Sequence, residues 1–371
     1  MDRRTEIGKY LNKDLKGIEV APYFSPILSK SAGYNILSID IFDTTTLQER
    51  ARSDSNNLPE WIDRIEDVDI VGDASNIGEM IQRNNLSGEI NYIISSHNFE
   101  HLPNPIKFLQ GCGEALNPDG VLSMAVPDYR ACFDHFRMPT RLSDWLSAFH
   151  ENRSQPSAET IFDYEVNRSS YIKDGIATVG CDMSSGDCKK FVAIGDLKKS
   201  YFDYVSRMSS NSTYSDAHCT VMFPETLELL LRDVIHLDLV NLELIEVSQT
   251  NGLEFYVHLR KPINSQSKDS VDYTKIREAL LRKISVCLVF DRIQRCATKA
   301  ADLHNHAPAA QHRQARAATG ARDRGKRCAG HCRAAFCTSN GSTQSPSDQA
   351  CPPGQNSPDN SRPRSSLQLA N

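Results

Sequence analysis

The sequence predicts an open α/β sheet of mostly parallel strands, with helices on both faces. Short apolar segments rich in β-branched residues alternate with helical segments through the first 130 residues. Each apolar segment is nearly continuous, as expected for a parallel strand that is covered on both sides. Two later segments alternate apolar and polar residues, which predicts an antiparallel hairpin that completes the same sheet.

The first part of the chain predicts strands at 17–21, 35–40, 68–73, 90–96 and 120–126. The segments between them are helical or polar. The last of these segments has apolar residues such as Ile106 and Leu109 at helical spacing, and it closes with a Pro-Asp-Gly turn. Because such strand, helix, strand repeats cross over in the right-handed sense, all of these strands should end at one edge of the sheet.

Residues 131–214 are less regular, and we interpret them as an insertion or lid after the fifth strand. Regular segments then return. "PETLELLLRDVIHLDL" predicts a helix with Pro224 in its first turn, and "VNLELIEVSQ" and "LEFYVHLRKP" predict the hairpin. Since a helix and two strands can complete the first sheet, residues 1–262 are predicted to form one domain.

Residues 263–285 predict a helical segment, and the composition changes after it. Residues 286–371 have few large apolar residues and many Ala, Arg, Ser, Pro and Gln residues. Such a sequence cannot bury enough apolar surface to fold alone, which predicts a disordered, low-complexity tail. Two origins stay open: a natural basic tail, or an out-of-frame translation of a GC-rich gene.

Composition and charge exclude several classes of protein. The net charge of -5 and the pI of about 6.1 argue against a protein built to bind nucleic acid. No apolar run approaches the roughly 18 to 20 residues that span a bilayer, and the start of the chain has no signal-peptide core. The sequence therefore predicts a cytoplasmic protein without an integral membrane segment. The loose spacing of Cys328, His331 and Cys332 does not resemble a zinc site, and no metal site is predicted.

Acidic residues stand at the ends of three predicted strands. Glu19 closes the first strand, Asp40 the second and Asp73 the third. Ligands bind at the carboxyl edge of such sheets, and a carboxylate can accept both hydroxyl protons of a ribose. Asp73 and the backbone N–H of Ala74 are placed to meet an adenine. The three strand ends together therefore predict a nucleotide-type cofactor site.

Several motifs resemble those of class I, Rossmann-like methyltransferases that use S-adenosylmethionine. "GIEVAP" is similar to the first motif of that family, and "ILSID" to the second. "SSHNFEHLPNP" resembles the Glu-His-Leu-Pro element of the branch named type 11, and "ALNPDGVLSMAVPD" the helix, turn and strand that follow. "FDHFR", "FHENR" and "FDYE" resemble a subgroup from bacterial gene clusters for surface polysaccharide, found beside or fused to glycosyltransferases.

The resemblance implies S-adenosylmethionine as cofactor and a set of residues that bind it. These are Glu19, Val20, Ala21, Pro22, Asp40, Ile41, Asp73, Ala74, Ser95, Ser96 and His97. The sequence departs from the family in the first motif, where Ala21 and Pro22 replace a glycine-containing turn. Alanine resists a positive φ, and proline has no N–H to donate.

A sugar hydroxyl is a poor nucleophile and needs a general base or a metal ion. The histidine candidates are His97, His101, His135, His150 and His218, with Asp128 and Asp134 as partners. His101 and His135 are the predicted catalytic residues because they follow the fourth and fifth strands. The predicted acceptor-binding residues are Asp128, Arg130, Arg137, His150 and Arg153.

These observations favour an enzyme that transfers a methyl group from S-adenosylmethionine to a small-molecule or glycan acceptor. The resemblance implies a hydroxyl on a sugar or glycan intermediate, and a glycosyltransferase as partner. The alternative is a non-catalytic module with the same fold beside a glycosyltransferase, and Ala21-Pro22 is the feature that favours it. An NAD-dependent sugar enzyme is disfavoured because no Gly-x-Gly-x-x-Gly follows the first strand.

Overall fold

A computed structural model of the chain describes residues 2–54, 57–185, 190–209, 214–264 and 272–305, with the backbone alone from 290 onward. By its contacts the chain divides into a first unit that includes Met1–Asp302 and a second that begins at Leu303. The strands of the described residues are β1 (Gly17–Val20), β2 (Ile36–Asp40), β3 (Ile70–Val71), β4 (Ile90–Ser96), β5 (Leu116–Pro127), β6 (Ser169–Lys173), β7 (Ile176–Thr178), β8 (Phe191–Ala193), β9 (Glu243–Val247) and β10 (Glu254–Arg260).

The α-helices of the described residues alternate with these strands. They are α1 (Arg3–Ile7), α2 (Thr44–Ser53), α3 (Pro59–Ile62), α4 (Ile77–Arg83), α5 (Pro105–Ala115), α6 (Leu142–His150), α7 (Ala158–Asn167), α8 (Leu197–Ser209), α9 (Pro224–His236) and α10 (Tyr273–Asn305). No described helix combines the length and the apolar character that a bilayer crossing requires.

A seven-stranded sheet organises the first unit, in the order β3-β2-β1-β4-β5-β10-β9. Strands β1 to β5 pair in parallel, while β10 runs antiparallel to both β5 and β9. The predicted α/β sheet with a late antiparallel hairpin is therefore confirmed. Chain order reverses at β1, whose neighbours are β2 on one side and β4 on the other.

Strand β3 is shorter than the predicted 68–73 and keeps only Ile70 and Val71. The carboxylate of Asp69 accepts the backbone N–H of Ser38 at 2.7 Å. A side chain thus takes the place that a backbone carbonyl would occupy in a longer ladder. The strand lies at the edge of the sheet, where a shortened ladder is tolerated.

Both faces of the sheet are covered. One face packs against α4, α5 and α9 in the main core, whose buried strand residues include Ile18, Ile93, Met124 and Phe255. The other face holds Tyr92, Ile94, Ala125 and Tyr256, and Ile7 of α1 packs there. Gly17 begins β1 because a Cβ there would lie 2.0 Å from the Tyr92 ring. This glycine serves packing, while the turn after β1 has none.

The insertion between β5 and α9 contains α6, α7, α8 and a small antiparallel sheet. That sheet has the order β7-β6-β8. The N–H of Ser169 donates to the carbonyl of Phe133 at 2.9 Å, which ties β6 to the loop after β5. The predicted insertion at 131–214 contains all of these elements.

The last described helix differs from the sequence prediction. A helical segment was expected to end near residue 285, but α10 continues through Asn305. Its added part contains Ala, Lys, Arg and Gln, which have high helix propensity even where they bury little surface. Residues 286–305 thus lie in this helix, and the disordered tail from residue 286 onward stays a prediction. Residues 306–371, to which the rest of that prediction applies, lie outside the described residues.

Candidate active site

The predicted strand ends meet at one edge of the seven-stranded sheet. Val20 at the end of β1 pairs with Ile39 of β2 and with Ser95 of β4, and Asp40 pairs with Val71 of β3. The polar residues that end or follow these strands are therefore neighbours. This edge, at the reversal of chain order, is where open α/β sheets bind ligands.

The turn after β1 takes a left-handed course without glycine. Ala21 has φ 52° and Tyr23 has φ 46°. The expectation that alanine would resist a positive φ is not met, and such a residue costs roughly 1–2 kcal/mol. The N–H of Ala21 donates to the carbonyl of Ile39 at 2.8 Å, which helps to hold the turn against β2.

Glu19 closes this turn. Its carboxylate is 2% exposed and accepts the N–H groups of Ile27 at 2.7 Å and Leu28 at 3.2 Å. Burial raises the pKa of Glu19 to about 7, although the two N–H donors act in the opposite direction. The geometry therefore gives Glu19 a role in shaping the turn. Contact between Glu19 and a cofactor ammonium group stays a prediction.

A pH dependence follows from the raised pKa of Glu19. The protonated carboxyl favours the folded state fully below pH 4.5, and this contribution is lost as the pH rises through about 7. Between these limits, the free energy of unfolding of the wild type should fall by about 3 kcal/mol relative to that of Glu19→Gln. Urea unfolding of both proteins across this range measures the difference. A difference that does not change with pH would contradict the assignment.

Asp40 and Ile41, the predicted ribose and adenine contacts, lie at the end of β2 and just after it. Asp40 is 6% exposed, and within the described part of the chain its carboxylate bonds only in its own turn, where it accepts the N–H of Phe42 at 3.3 Å. Burial raises the pKa of Asp40. The carboxylate keeps acceptor capacity for two hydroxyl groups. Ile41 is 49% exposed, which leaves apolar surface beside that carboxylate.

Asp73 and the end of β4 complete the predicted cofactor side. Asp73 is half-buried and caps the following turn by accepting the N–H of Ser75 at 2.8 Å. Ser95 is fully buried and accepts the side-chain N–H of Asn98 at 3.2 Å. Val20 is buried, while Ala21, Pro22, Ala74 and Ser96 are partly exposed. Their contacts with a cofactor stay predictions.

His97 follows β4 with φ 49° and lies between two carboxylates. Its Nε2 is 2.7 Å from Glu254, and its Nδ1 is 3.5 Å from Glu100. Burial disfavours the charged ring, but the two carboxylates outweigh it and raise the pKa of His97 to about 9. Arg3 of α1 also pairs with Glu254, at 2.7 Å. An ionic network therefore closes this side of the site.

The two predicted catalytic histidines have different surroundings. His101 is half-buried, and its Nδ1 lies 2.9 Å from the carboxylate of Asp216. His135 is buried, its Nδ1 bonds to the carbonyl of Arg130 at 2.7 Å, and its ring stacks on Phe191 at 4.1 Å. His101 is therefore accessible to an acceptor, whereas His135 holds β8 of the insertion.

Most of the predicted acceptor residues are bonded within the protein. Asp128 is fully buried and pairs with Arg130 at 2.6 Å. Arg137 is 4% exposed and pairs with Asp134 at 2.8 Å and with Asp163 at 2.7 Å. These contacts give Asp128, Arg130 and Arg137 structural roles, and their contact with an acceptor stays a prediction.

The other two predicted acceptor residues lie nearer to solvent. His150 is exposed at the end of α6. Arg153 lines a cleft beside the loop that follows β4, together with Pro103, Thr140, Asp144, Thr160 and Cys219. The cleft is bounded by α6, α7 and the segment before α9, and its polar side chains suit a hydroxyl-rich acceptor.

A histidine–carboxylate cluster is formed by Glu100, His101 and His218, and two of its members directly precede the cleft-lining residues Leu102 and Cys219. One ligand atom from each residue lies within 4.8 Å of the others. His101 and His218 were among the predicted histidine candidates, and Asp134, a predicted partner, bonds to His218.

No sequence motif pointed to Asp216 or Glu254. Asp216 pairs with a histidine 115 positions away and Glu254 with one 157 positions away. The reversed direction of β10 could have indicated Glu254, because this strand starts at the edge where the parallel strands end.

Comparisons with known proteins agree with this architecture. Residues 16–164 match a family described as a methyltransferase domain. No curated protein sequence matches the chain. A solved S-adenosylmethionine-dependent methyltransferase from Methanosarcina mazei is 14% identical over 70% of this chain and 97% of its own, with a TM-score of 0.34.

Two further solved structures show the same level of similarity. A methyltransferase from Mesorhizobium loti that depends on S-adenosylmethionine is 11% identical over 69% of this chain and 95% of its own, with a TM-score of 0.33. A putative zinc-dependent alcohol dehydrogenase from Rhodobacter sphaeroides is 12% identical over 70% of this chain and 90% of its own, with a TM-score of 0.37. With TM-scores below 0.5, these similarities do not establish the family.

The matched residues coincide with the parallel part of the seven-stranded sheet. Residues 16–164 contain the strands β1 to β5, whose carboxyl ends form the edge described above. The matched residues are less than half of the chain, and a methyltransferase domain is what this part of the chain is similar to.

Proposed function

We propose that the chain is an S-adenosylmethionine-dependent methyltransferase that acts on a hydroxyl oxygen of a sugar or glycan intermediate. The observation that carries the proposal is the histidine–carboxylate cluster at the end of β4, beside a polar cleft. Transfer to a hydroxyl requires a group that removes or acidifies its proton, whereas transfer to a free amine needs less assistance. The resemblance of "FDHFR", "FHENR" and "FDYE" to the polysaccharide-cluster subgroup adds support.

The cofactor side is assigned to the turn after β1 and to the ends of β2 to β4. Bound S-adenosylmethionine would supply a methyl group already activated by a sulfonium. Asp40 would accept the ribose hydroxyls, and the exposed face of Ile41 would pack on the adenine. The partly exposed backbone of Ala21 and Pro22 would face the methionine part.

The acceptor side is assigned to the cleft and to the insertion that borders it. His101 is the cluster member that reaches solvent, and Asp216 holds its ring. Burial disfavours charge on His101, but the hydrogen bond to Asp216 outweighs this and raises its pKa. Thr140, Thr160 and Arg153 would bind acceptor hydroxyl or acidic groups. A cytoplasmic location and a glycosyltransferase partner stay predictions from the sequence.

Glycan mass spectrometry tests the acceptor. Surface glycans from source cells with the intact gene should carry a methyl ether that is absent when the gene is deleted. A copy with Asp40→Ala should restore little of the methylation, and an intact copy should restore it fully. Identical glycans with and without the gene would refute the sugar acceptor. Transfer of labelled methyl to nitrogen or carbon would also refute it, while leaving methyltransferase activity established.

A further inference from the structure

The histidine–carboxylate cluster has the composition and spacing of a metal-binding site. Glu100 and His218 are 0% and 2% exposed, and His101 is half-buried. Their candidate ligand atoms lie within 4.8 Å of one another. Ligand atoms around a tetrahedral zinc ion with bonds of about 2.1 Å are about 3.4 Å apart, so small side-chain rotations would close the site.

Each imidazole ring of the cluster is oriented by its own carboxylate. The Nδ1 of His101 bonds to Asp216 at 2.9 Å, and the Nδ1 of His218 bonds to Asp134. In both rings this leaves Nε2 as the available nitrogen. A carboxylate that holds the second ring nitrogen is the usual companion of a metal-binding histidine.

The centre of the cluster contains buried polar atoms without hydrogen-bond partners. Among the described residues, the two carboxylate oxygens of Glu100 have no hydrogen-bond partner. The Nε2 of His218 has none either. The nearest cation to Glu100 is the His97 ring, whose Nδ1 is 3.5 Å away. A buried carboxylate with one imidazole at 3.5 Å and no hydrogen bond, beside a buried imidazole nitrogen without a hydrogen bond, is costly to the fold, and a cation between them would satisfy both.

We propose that Glu100, His101 and His218 bind one divalent transition-metal ion, with zinc as the reference ion. Two imidazole nitrogens and one carboxylate suit zinc, iron or manganese, whereas magnesium and calcium prefer oxygen ligands alone. Three protein ligands leave a further coordination position open. The rings of Phe133 and Tyr164 lie 4.7 Å and 6.0 Å from the His218 ring and shield that ligand from water.

The ion would join two distant parts of the chain. Glu100 and His101 follow β4, while His218 belongs to the segment before α9. The carbonyl of Glu100 already accepts the N–H of Thr220 at 3.1 Å and that of Cys219. A bound ion would fix the wall of the cleft that this segment forms. Acidification of an acceptor hydroxyl by the ion would rest on the proposed function, but its binding does not.

Metal content of the full-length protein tests the proposal without any activity assay. Chelator-treated protein is titrated with zinc chloride, and the bound metal is measured by calorimetry and by mass spectrometry of the elements. Glu100→Gln keeps the shape of the side chain and removes its charge, and His101→Ala changes a half-buried side chain, so both variants should fold. His236→Ala is the matched control because His236 is exposed on α9, outside the cluster.

The wild type and His236→Ala should each bind one zinc ion per chain at the same affinity. Glu100→Gln and His101→Ala should weaken that affinity by at least about a hundredfold, since loss of a supporting residue alone costs 10–100-fold. Magnesium should not compete.

A second pair of substitutions identifies the ligands if zinc binds elsewhere. Binding that survives both cluster variants and disappears in Cys328→Ser/Cys332→Ser would overturn the proposal, since thiolates would then be the ligands. Less than a tenth of an ion per chain at saturating zinc would overturn it as well.

Discussion

Arg137→Ala should lower the free energy of unfolding by about 3–5 kcal/mol. The guanidinium of Arg137 is buried and pairs with Asp134 at 2.8 Å and with Asp163 at 2.7 Å. Its removal leaves the 2% exposed carboxylate of Asp134 bonded to His218 but without its arginine partner. Breaking one half of a buried ion pair is costly because an uncompensated charge stays in the interior. Urea unfolding followed by circular dichroism measures the loss.

Two comparisons separate the effect of charge from that of packing. Arg83→Ala removes an exposed arginine that pairs with Glu79 at 3.2 Å, and it should leave the stability unchanged. Arg137→Ala/Asp134→Asn should recover part of the loss, because the carboxylate that then lacks its arginine partner, Asp163, is 42% exposed and can be solvated by water. A loss below about 1 kcal/mol for Arg137→Ala would show that this buried pair does not hold the insertion.

Asp40→Ala should weaken the binding of S-adenosylmethionine by at least about tenfold, because two hydrogen bonds from the ribose are lost. Asp40 ends β2 at the edge where β1 and β4 also end. Calorimetric titration of the variant and the wild type measures the ratio of the dissociation constants.

Asp43→Ala is the matched control for this prediction. Asp43 lies three positions later and caps α2 by accepting the N–H of Thr46 at 2.7 Å. Its removal should weaken the helix and leave the cofactor affinity unchanged. Equal affinities for wild type and Asp40→Ala would place the ribose away from the end of β2.

The strands of the sheet could be predicted because each one is determined by a short, continuous segment of the sequence. Each strand is a short apolar run bounded by turn residues, and the predicted 90–96 coincides with β4. The edge that carries the site followed from topology alone, since parallel strands with right-handed crossovers end together. The same logic predicts that Asp40 and Asp73 are neighbours at this edge.

The chemistry of the site depends on contacts that no local pattern encodes. His101 bonds to Asp216 across the whole insertion, and His97 bonds to Glu254 on the reversed strand β10. Burial also changes what a residue can do. Arg137 was predicted to bind the acceptor because of its residue type and position. Its guanidinium forms ion pairs with two aspartates of the protein.

The turn after β1 shows a third reason why prediction from sequence fails, after long-range contacts and burial. Sequence alone placed Ala21 where a glycine is expected, and propensity argued against a positive φ. The fold imposes that φ on Ala21 and on Tyr23, because Glu19 fixes the far end of the turn through Ile27 and Leu28. Tertiary contacts thus override a local preference of roughly 1–2 kcal/mol.

Calorimetric titration of the full-length wild-type protein with S-adenosylmethionine, and separately with its demethylated product, tests the central claim most directly. The edge formed by the ends of β1 to β4 should bind one molecule of either ligand per chain. Absence of binding for both ligands at millimolar concentration would contradict the claim that this edge is a working cofactor site.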